Sequence, residues 1–370
     1  MSAPIPAMIE AQTDFALSLF RENGFNSSTI LSPLSISIAL AMVYLGAKEN
    51  TAKQIKDTIA KDVADEEIHA HFSSVLSRIN SNNLNVTLES VNRVYLQNNF
   101  KLLDSYVQGI KQNYGGELEE IDFSKSVDAA EKINGFVSKS THDKIQNLIS
   151  PTSFNDLTRL VLINAIYFKG EWDEPFEVEI TRDADFYVSP GNTKKVKMMS
   201  LESKFPYFET NDYQMLGLPY KNQKVFMYVI LPRERFGLEN LVKTMNSSTL
   251  FHLLSKRSAS TKVDVKFPKF KIEASFELTN ALKKLGIIEA FEDNANFLGI
   301  SEQGNLKVSQ VIHKAFIEVS EEGTTAAAAT HVGFQHKMYQ IPKKFSANHP
   351  FLFIIADDAH NIYFIGRHLE

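Results

Sequence analysis

Residues 320–335 read Ser320-Glu321-Glu322-Gly323-Thr324-Thr325-Ala326-Ala327-Ala328-Ala329-Thr330-His331-Val332-Gly333-Phe334-Gln335. Between Glu321 and Thr330 there is no large apolar side chain. A run of alanines admits a short helix or a flexible connector. A period of two admits another reading. Thr324, Ala326, Ala328, Thr330, Val332 and Phe334 share one side of an extended chain, and all are small or apolar. Thr325, Ala327, Ala329, His331, Gly333 and Gln335 share the other side, which turns polar toward its end. A strand with such faces can lie between two others with one face toward a core. Small side chains also limit clashes while it slides into place. Residues 311–319, just before, look like a strand carrying His313 and Lys314 among apolar neighbours. Just after come Lys337-Met338-Tyr339, long side chains without core periodicity. Exposed loops of that kind carry recognition residues.

The rest of the chain sets the bounds. It has 370 residues, 44% hydrophobic and 22% charged, which fits a folded chain and argues against disorder or low complexity. A net charge of −5 gives no basic excess toward nucleic acid or an anionic membrane, and neither is an expected partner. Cysteine is absent, which excludes disulfides, thiolate metal sites and a cysteine nucleophile and fits a reducing compartment. The start, Met1-Ser2-Ala3-Pro4-Ile5-Pro6-Ala7, lacks the charged and apolar regions of a signal peptide. A cytoplasmic location is therefore expected, with secretion by another route left open. The apolar runs 225–231 and 351–356 fall far short of the roughly 18 residues of a membrane helix. Sequons at Asn26, Asn85 and Asn246 matter only outside the cytoplasm.

The first half reads mostly as helix. Met8, Phe15, Leu19 and Phe20 share one helical face. Ser32-Pro33 is a helix start, and residues 34–45 are almost all apolar or small before Gly46. A helix apolar all round lies buried. Residues 51–59, 66–79 and 129–139 look like surface helices. The second half reads mostly as strand. Residues 160–168 are an apolar run broken only by Asn164, as in a strand covered on both faces. Residues 225–231 resemble it and stop at Pro232; 263–272 alternate in part; 279–285 return to helix and end at Gly286. Residues 351–355 and 362–365 flank Asp357-Asp358-Ala359-His360-Asn361, a hairpin pattern. With no linker and no repeat, one α+β domain over residues 1–370 is expected.

From about Ile9 onward the chain resembles a serpin. Ser32-Pro33-Leu34-Ser35 with Leu45-Gly46-Ala47 resembles the family's central helix. Asn164-Ala165-Ile166-Tyr167-Phe168-Lys169-Gly170 followed by Trp172 resembles its longest sheet strand. Val311-Ile312-His313-Lys314-Ala315 and Glu321-Glu322-Gly323-Thr324 match the strand and hinge before the reactive loop. His349-Pro350-Phe351 and Phe364-Ile365-Gly366-Arg367 match the C-terminal strands. The Ala-rich hinge and the start of the chain are most similar to the intracellular, ovalbumin-type branch. The resemblance implies an α+β serpin fold: three β-sheets, eight or nine helices and an exposed reactive-centre loop at about 321–345. It also implies a mechanism. A serine protease cleaves the loop and becomes acylated, and the loop then inserts as a new strand of the large sheet, distorting the attached protease. The native state must then be kinetically trapped.

The resemblance also implies site residues. The bait residue lies fourteen positions after the hinge glycine, here Gly323, which makes Lys337–Met338 the reactive bond. A long cation suits the deep pocket of a trypsin-like protease, where a buried carboxylate pairs with it. Met338–Tyr339 is the alternative, toward an apolar pocket. The hinge comprises Glu321, Glu322, Gly323, Thr324, Ala326, Ala328 and Thr330, free of the proline or bulk that blocks insertion. Thr325 and His331 are expected on the outward face. Ser32, Ser35, Asn164 and His313 match a polar cluster beneath the moving strands. Asn164 in an apolar strand must find partners or cost roughly 1–3 kcal/mol, and His313 can supply one. Trp172 matches the loop's point of entry. Lys269 and Glu321 match a family salt bridge there, worth about 0–1 kcal/mol as an exposed pair.

The implied protein is a monomeric suicide inhibitor, with a trypsin-like serine protease as partner and no catalytic residues or cofactor of its own. A non-inhibitory serpin that binds, chaperones or stores, and a cross-class inhibitor of papain-like proteases, are the alternatives. No hydrolase, P-loop or dinucleotide motif occurs. His69 and His71 at i, i+2 do not share a helical face and read as solvated surface rather than a metal pair. Lys194, Lys195 and Lys197 read as plain surface rather than a polyanion site.

Overall fold

Ser32 and Pro33 open α2 (Pro33–Tyr44) as expected: the Ser32 side chain accepts from the Ser35 N–H at 3.4 Å, and every residue of the helix is buried. The computed structural model describes residues 5–81, 84, 86–115, 118–258, 260–324 and 341–370. Asn85, Ala326, Ala328, Thr330, Lys337 and Met338 lie outside the described residues. Among the described residues there are nine α-helices; besides α2 they are α1 (Ala7–Glu22), α3 (Glu49–Ile59), α4 (Asp65–Asn80), α5 (Asp104–Tyr114), α6 (Ser126–Ser140), α7 (Leu238–Thr244), α8 (Ser247–Leu254) and α9 (Thr279–Lys284). The helices expected at 51–59, 66–79, 129–139 and 279–285 are all present.

The strands form three sheets. The largest has the order β11 (Phe270–Glu277), β12 (Val308–Val319), β4 (Leu160–Glu171), β2 (Val86–Gln97), β3 (Leu118–Ile121), and a short β13 (Gly323–Thr324) also pairs with β4. The second runs β1 (Thr29–Leu31), β16 (Ile362–His368), β15 (Phe351–Asp357), β9 (Val225–Pro232), β8 (Tyr213–Pro219), β7 (Tyr207–Glu209). Its central strands are buried along their whole length and include the expected hairpin, β15 with β16. The third is β14 (Lys343–Ser346), β10 (Thr261–Pro268), β6 (Asn192–Phe205), β5 (Arg182–Ser189).

The main core lies between the largest and second sheets, with α2 running through it. The opposite face of the largest sheet is covered by α6, whose Ala129, Ala130, Ile133 and Val137 pack with Val161, Ile163, Ala165 and Tyr167 of β4. β4 is therefore apolar on both sides, with alternate residues entering the two clusters.

Three features depart from the sequence reading. Residues 263–272 are not one strand: the chain breaks at Pro268 and feeds β10 into the third sheet and β11 into the largest. The mostly helical first half contains β2, whose core-facing alternation is interrupted by Ser90 and Asn92. The β5–β6 ribbon is largely exposed, so no apolar period marks it.

Candidate functional site

The expected site residues that are described fall at two stations along one seam, the parallel pairing of β12 with β4 from Val308–Leu160 to Phe316–Tyr167. At the middle of the seam His313 stands directly opposite Asn164. Both are fully buried. The Ser32 N–H donates to His313 Nε2 at 3.1 Å, so the ring's proton sits on Nδ1 and is donated to Asn164 Oδ1. The Asn164 amide donates to Ser35 Oγ and Asn92 Oδ1. Ser35 Oγ donates to Asn92 Oδ1 at 2.8 Å, and the Asn92 amide to Ser90 Oγ at 2.8 Å. All four residues expected here thus meet in one chain of hydrogen bonds from α2 across three strands. Burial pulls the His313 pKa down to about 3, so the ring is neutral. Sequence reasoning missed Asn92 and Ser90; the interrupted alternation of β2 was the available signal.

At the upper end β12 and β4 part, and the chain turns back between them. Gly323 pairs with Glu171 and Thr324 with Gly170, antiparallel. Gly323 has φ +135°, and a Cβ there would lie 2.2 Å from the Gly170 carbonyl oxygen, so only glycine fits. The turn is closed by the Ser320 N–H and Oγ, which donate to the Gly323 carbonyl at 2.8 and 3.1 Å. Trp172 Nε1 donates to the Ser320 carbonyl at 3.0 Å, and the Trp172 N–H to the Glu322 carbonyl at 3.0 Å. The indole stacks on Tyr220, ring centroids 4.5 Å apart. Both ends of the segment expected at 321–345 are therefore built into sheets, β13 at one end and β14 at the other.

Lys269 and Glu321 are paired at 2.6 Å, but not as an exposed pair: the Glu321 side chain is only 6% exposed, against 38% for Lys269. Burial opposes ionisation of Glu321. Hydrogen bonds from Lys269, its own backbone and Thr181 outweigh that and hold the carboxyl below its ordinary value. Thr181 carried no sequence signal.

The remaining candidates resolve simply. His69 and His71 are part-buried, not solvated: His69 packs on Tyr44 at 5.6 Å and its Nδ1 lies 2.6 Å from the Tyr114 hydroxyl. Among the described residues no group of three or more His, Asp or Glu is arranged to hold a metal. Lys194, Lys195 and Lys197 are each ion-paired, with Glu370, Asp185 and Asp183, which neutralises the patch. Among the described residues no helix is long and apolar enough to cross a membrane.

A parted seam, a glycine turn entering it and a neutral hydrogen-bonded lock below are joined by a family match: the profile of the serpins, serine protease inhibitors, covers residues 10–370. The chain belongs to the serpin family. Among its relatives, the leukocyte elastase inhibitor of Equus caballus is 38% identical over 96% of this chain and 97% of that protein. Serpin B6 of Pongo abelii is 38% identical over 97% and 98%. Among solved serpins, Serpin48, a highly specific serpin of the insect Tenebrio molitor, superposes with a TM-score of 0.87 at 34% identity over 98% of both chains. Uncleaved ovalbumin superposes with a TM-score of 0.89 at 32% identity over 99% of this chain and 100% of that one, as the ovalbumin-type resemblance leads one to expect. Human thyroxine-binding globulin, complexed with thyroine, superposes with a TM-score of 0.89 at 28% identity over 98% of both.

Proposed function

We propose that this serpin is a suicide inhibitor of trypsin-like serine proteases, acting in the cytoplasm as a monomer. The chain is the substrate and supplies no catalytic group; Lys337–Met338 is the bond offered. One observation carries the reading, the register of β13. From Gly323 to Thr324, one step along the chain is one step back along β4. Continued, that register brings Ala326 opposite Phe168, Ala328 opposite Ile166, Thr330 opposite Asn164 and Phe334 opposite Leu160, where β4 begins. Leu160, Leu162, Ile166 and Phe168 face the main core. The small and apolar set therefore travels on the core side, and the strand runs out where its partner does.

The same register says what insertion must break. β12 and β4 exchange their direct pairing for pairing through a new strand, and Thr330 comes between Asn164 and His313. The hydrogen bond joining those two is lost, and a threonine hydroxyl arrives within reach of both. The ladder gains a strand while the polar cluster is re-satisfied. Insertion then runs downhill once the loop is cut, and the uncut state is kinetically held. The opposite face is not open to solvent: His331 comes opposite Ile163, beneath α6, so its bulk resists insertion rather than being indifferent to it.

Mixing with trypsin tests the reading. The expected result is an SDS-resistant complex together with the free peptide Met338–Glu370. Quantitative cleavage after Lys337 with fully active trypsin would remove it. That outcome is the one expected of a non-inhibitory binding serpin, a second reading favoured by the likeness to thyroxine-binding globulin.

A further inference from the structure

We propose that Tyr220 is a latch for the hinge, holding Thr324 in the mouth of the seam before any cleavage; this rests on the insertion mechanism above. Tyr220 follows β8, and its N–H donates to the Val225 carbonyl at 3.0 Å, which fixes its backbone beside the seam. The ring stacks flat on Trp172, at 18° between planes, and meets Phe168 edge-on at 5.0 Å. It occupies room left by Gly170, where a Cβ would come within 2.6 Å of the ring. The phenol is thus held on three sides, and its oxygen lies 3.2 Å from Thr324 Oγ1. Tyr220 and Thr324 are both fully buried. Among the described residues neither hydroxyl has another hydrogen-bond partner.

The energetics follow from that isolation. With Thr324 out of the seam, the phenol is a buried hydroxyl without a partner, the costly state for a polar group. The phenol therefore favours the seated hinge. Thr324 stays opposite Gly170 when the strand lengthens downward, so the latch holds the start of the strand without resisting its travel. Tyr220 is a positioning residue: it touches no protease, and it acts by raising the fraction of molecules whose first inserted residue is already in place.

Tyr220→Phe keeps the stack and removes the oxygen. Thr324→Val removes the other hydroxyl, and Thr324→Ser retains it. Nicking by a glutamate-specific endoprotease at Glu321 and Glu322 reads how often the hinge is unseated and requires no inhibition. Nicking is expected to rise about fivefold in Tyr220→Phe and in Thr324→Val, the worth of one net hydrogen bond. It should rise no further in the double variant and stay near wild type in Thr324→Ser. With trypsin, the two single variants should insert about fivefold more slowly and release more cleaved inhibitor. Wild-type nicking in Tyr220→Phe, or additive effects in the double variant, overturns the latch. Should Tyr220→Phe fail to fold, the contrast between Thr324→Val and Thr324→Ser decides alone. Altered nicking with no trapping even in the wild type would overturn the inhibitory reading and leave the latch standing.

Discussion

The two stations of the β4–β12 seam solve the same problem in opposite ways. At the top the strands have separated, the start of the hinge, Gly323–Thr324, stands between them, and a charged pair fastens it: Lys269 to Glu321 at 2.6 Å. At the middle the strands are in register, and the fastening is entirely neutral: His313, Asn164, Asn92 and three serines, Ser32, Ser35 and Ser90. Depth explains the difference. Lys269 keeps part of its side chain in water, so its charge is affordable, whereas an ion pair at the fully buried middle would pay desolvation on both partners. A neutral network has no such cost, but it is strong only while every member is satisfied. The seam is thus open where its fastening can reach solvent and shut where the fastening is all-or-none, which sets the direction of opening from top to middle.

The sharpest way to break this comparison is at Gly323. Gly323→Val puts a side chain into the Gly170 carbonyl, so the hinge should be expelled. Complex formation with trypsin should fall more than tenfold while the middle station and the melting transition persist. Undiminished complex formation would show that the seated hinge is irrelevant.

Acid should separate the stations next. His313 and His368 both have pKa values pulled down to about 3 by burial, so below about pH 6.5 the unfolded chain takes up protons there and the native chain does not. Their stability is complete above pH 6.5 and declines as pH falls toward 3, by about 2 kcal/mol each at pH 5. His69, His71, His349 and His360 are lowered by burial as well and add to the loss. The Glu321 carboxyl is lowered from 4.5, so its contribution is retained to more acid pH and lost only as pH falls through that lowered value. Denaturation at pH 7.5 and 5 should show the loss, and His368→Phe should remove about one histidine's share. Among the described residues the His368 ring nitrogens have no hydrogen-bond partner, and the ring is packed by Phe186, Phe270 and Phe351. A flat profile between those pH values would contradict this.

His313→Ala removes the acceptor of the Ser32 N–H and the donor to Asn164, leaving both buried and unsatisfied. The expected cost is about 2–3 kcal/mol, read as a lower melting temperature, with more polymer on mild heating. Unchanged melting and trapping stoichiometry would count against the middle station as a lock. Lys269→Ala is the smallest of the four, about 1–2 kcal/mol, because Thr181 still bonds the stranded Glu321 carboxylate. It should raise nicking at the hinge without altering the response of the middle station to acid.

Much of this was legible before any coordinates. Ser32-Pro33 announced α2 because capping is local. Asn164 and His313 stood out because a polar residue in an apolar strand needs a partner, and the partner proved to be the other. Asn92 and Ser90 escaped notice because they sit on the core face of β2 and erase the alternation that would have revealed the strand. Residues 263–272 alternate only in part because the buried face of β10, Val263, Val265 and Phe267, gives way after Pro268 to Phe270 and Ile272 of β11, one residue out of phase, where one strand ends and another begins. The burial of Glu321 and the contact of Tyr220 with Thr324 had no local trace at all.

From its order of residues alone, this protein is a serpin-like α+β chain with small, evenly patterned residues after Gly323 and polar residues set into apolar strands. Those properties depend on neighbours along one element. Only the tertiary structure decided that the start of the hinge, Gly323–Thr324, is already seated, that its glutamate is buried and that the lysines of the β6 patch are neutralised. Each of these depends on which distant strand stands opposite, and burial and charge pairing are set by that neighbour rather than by the local sequence.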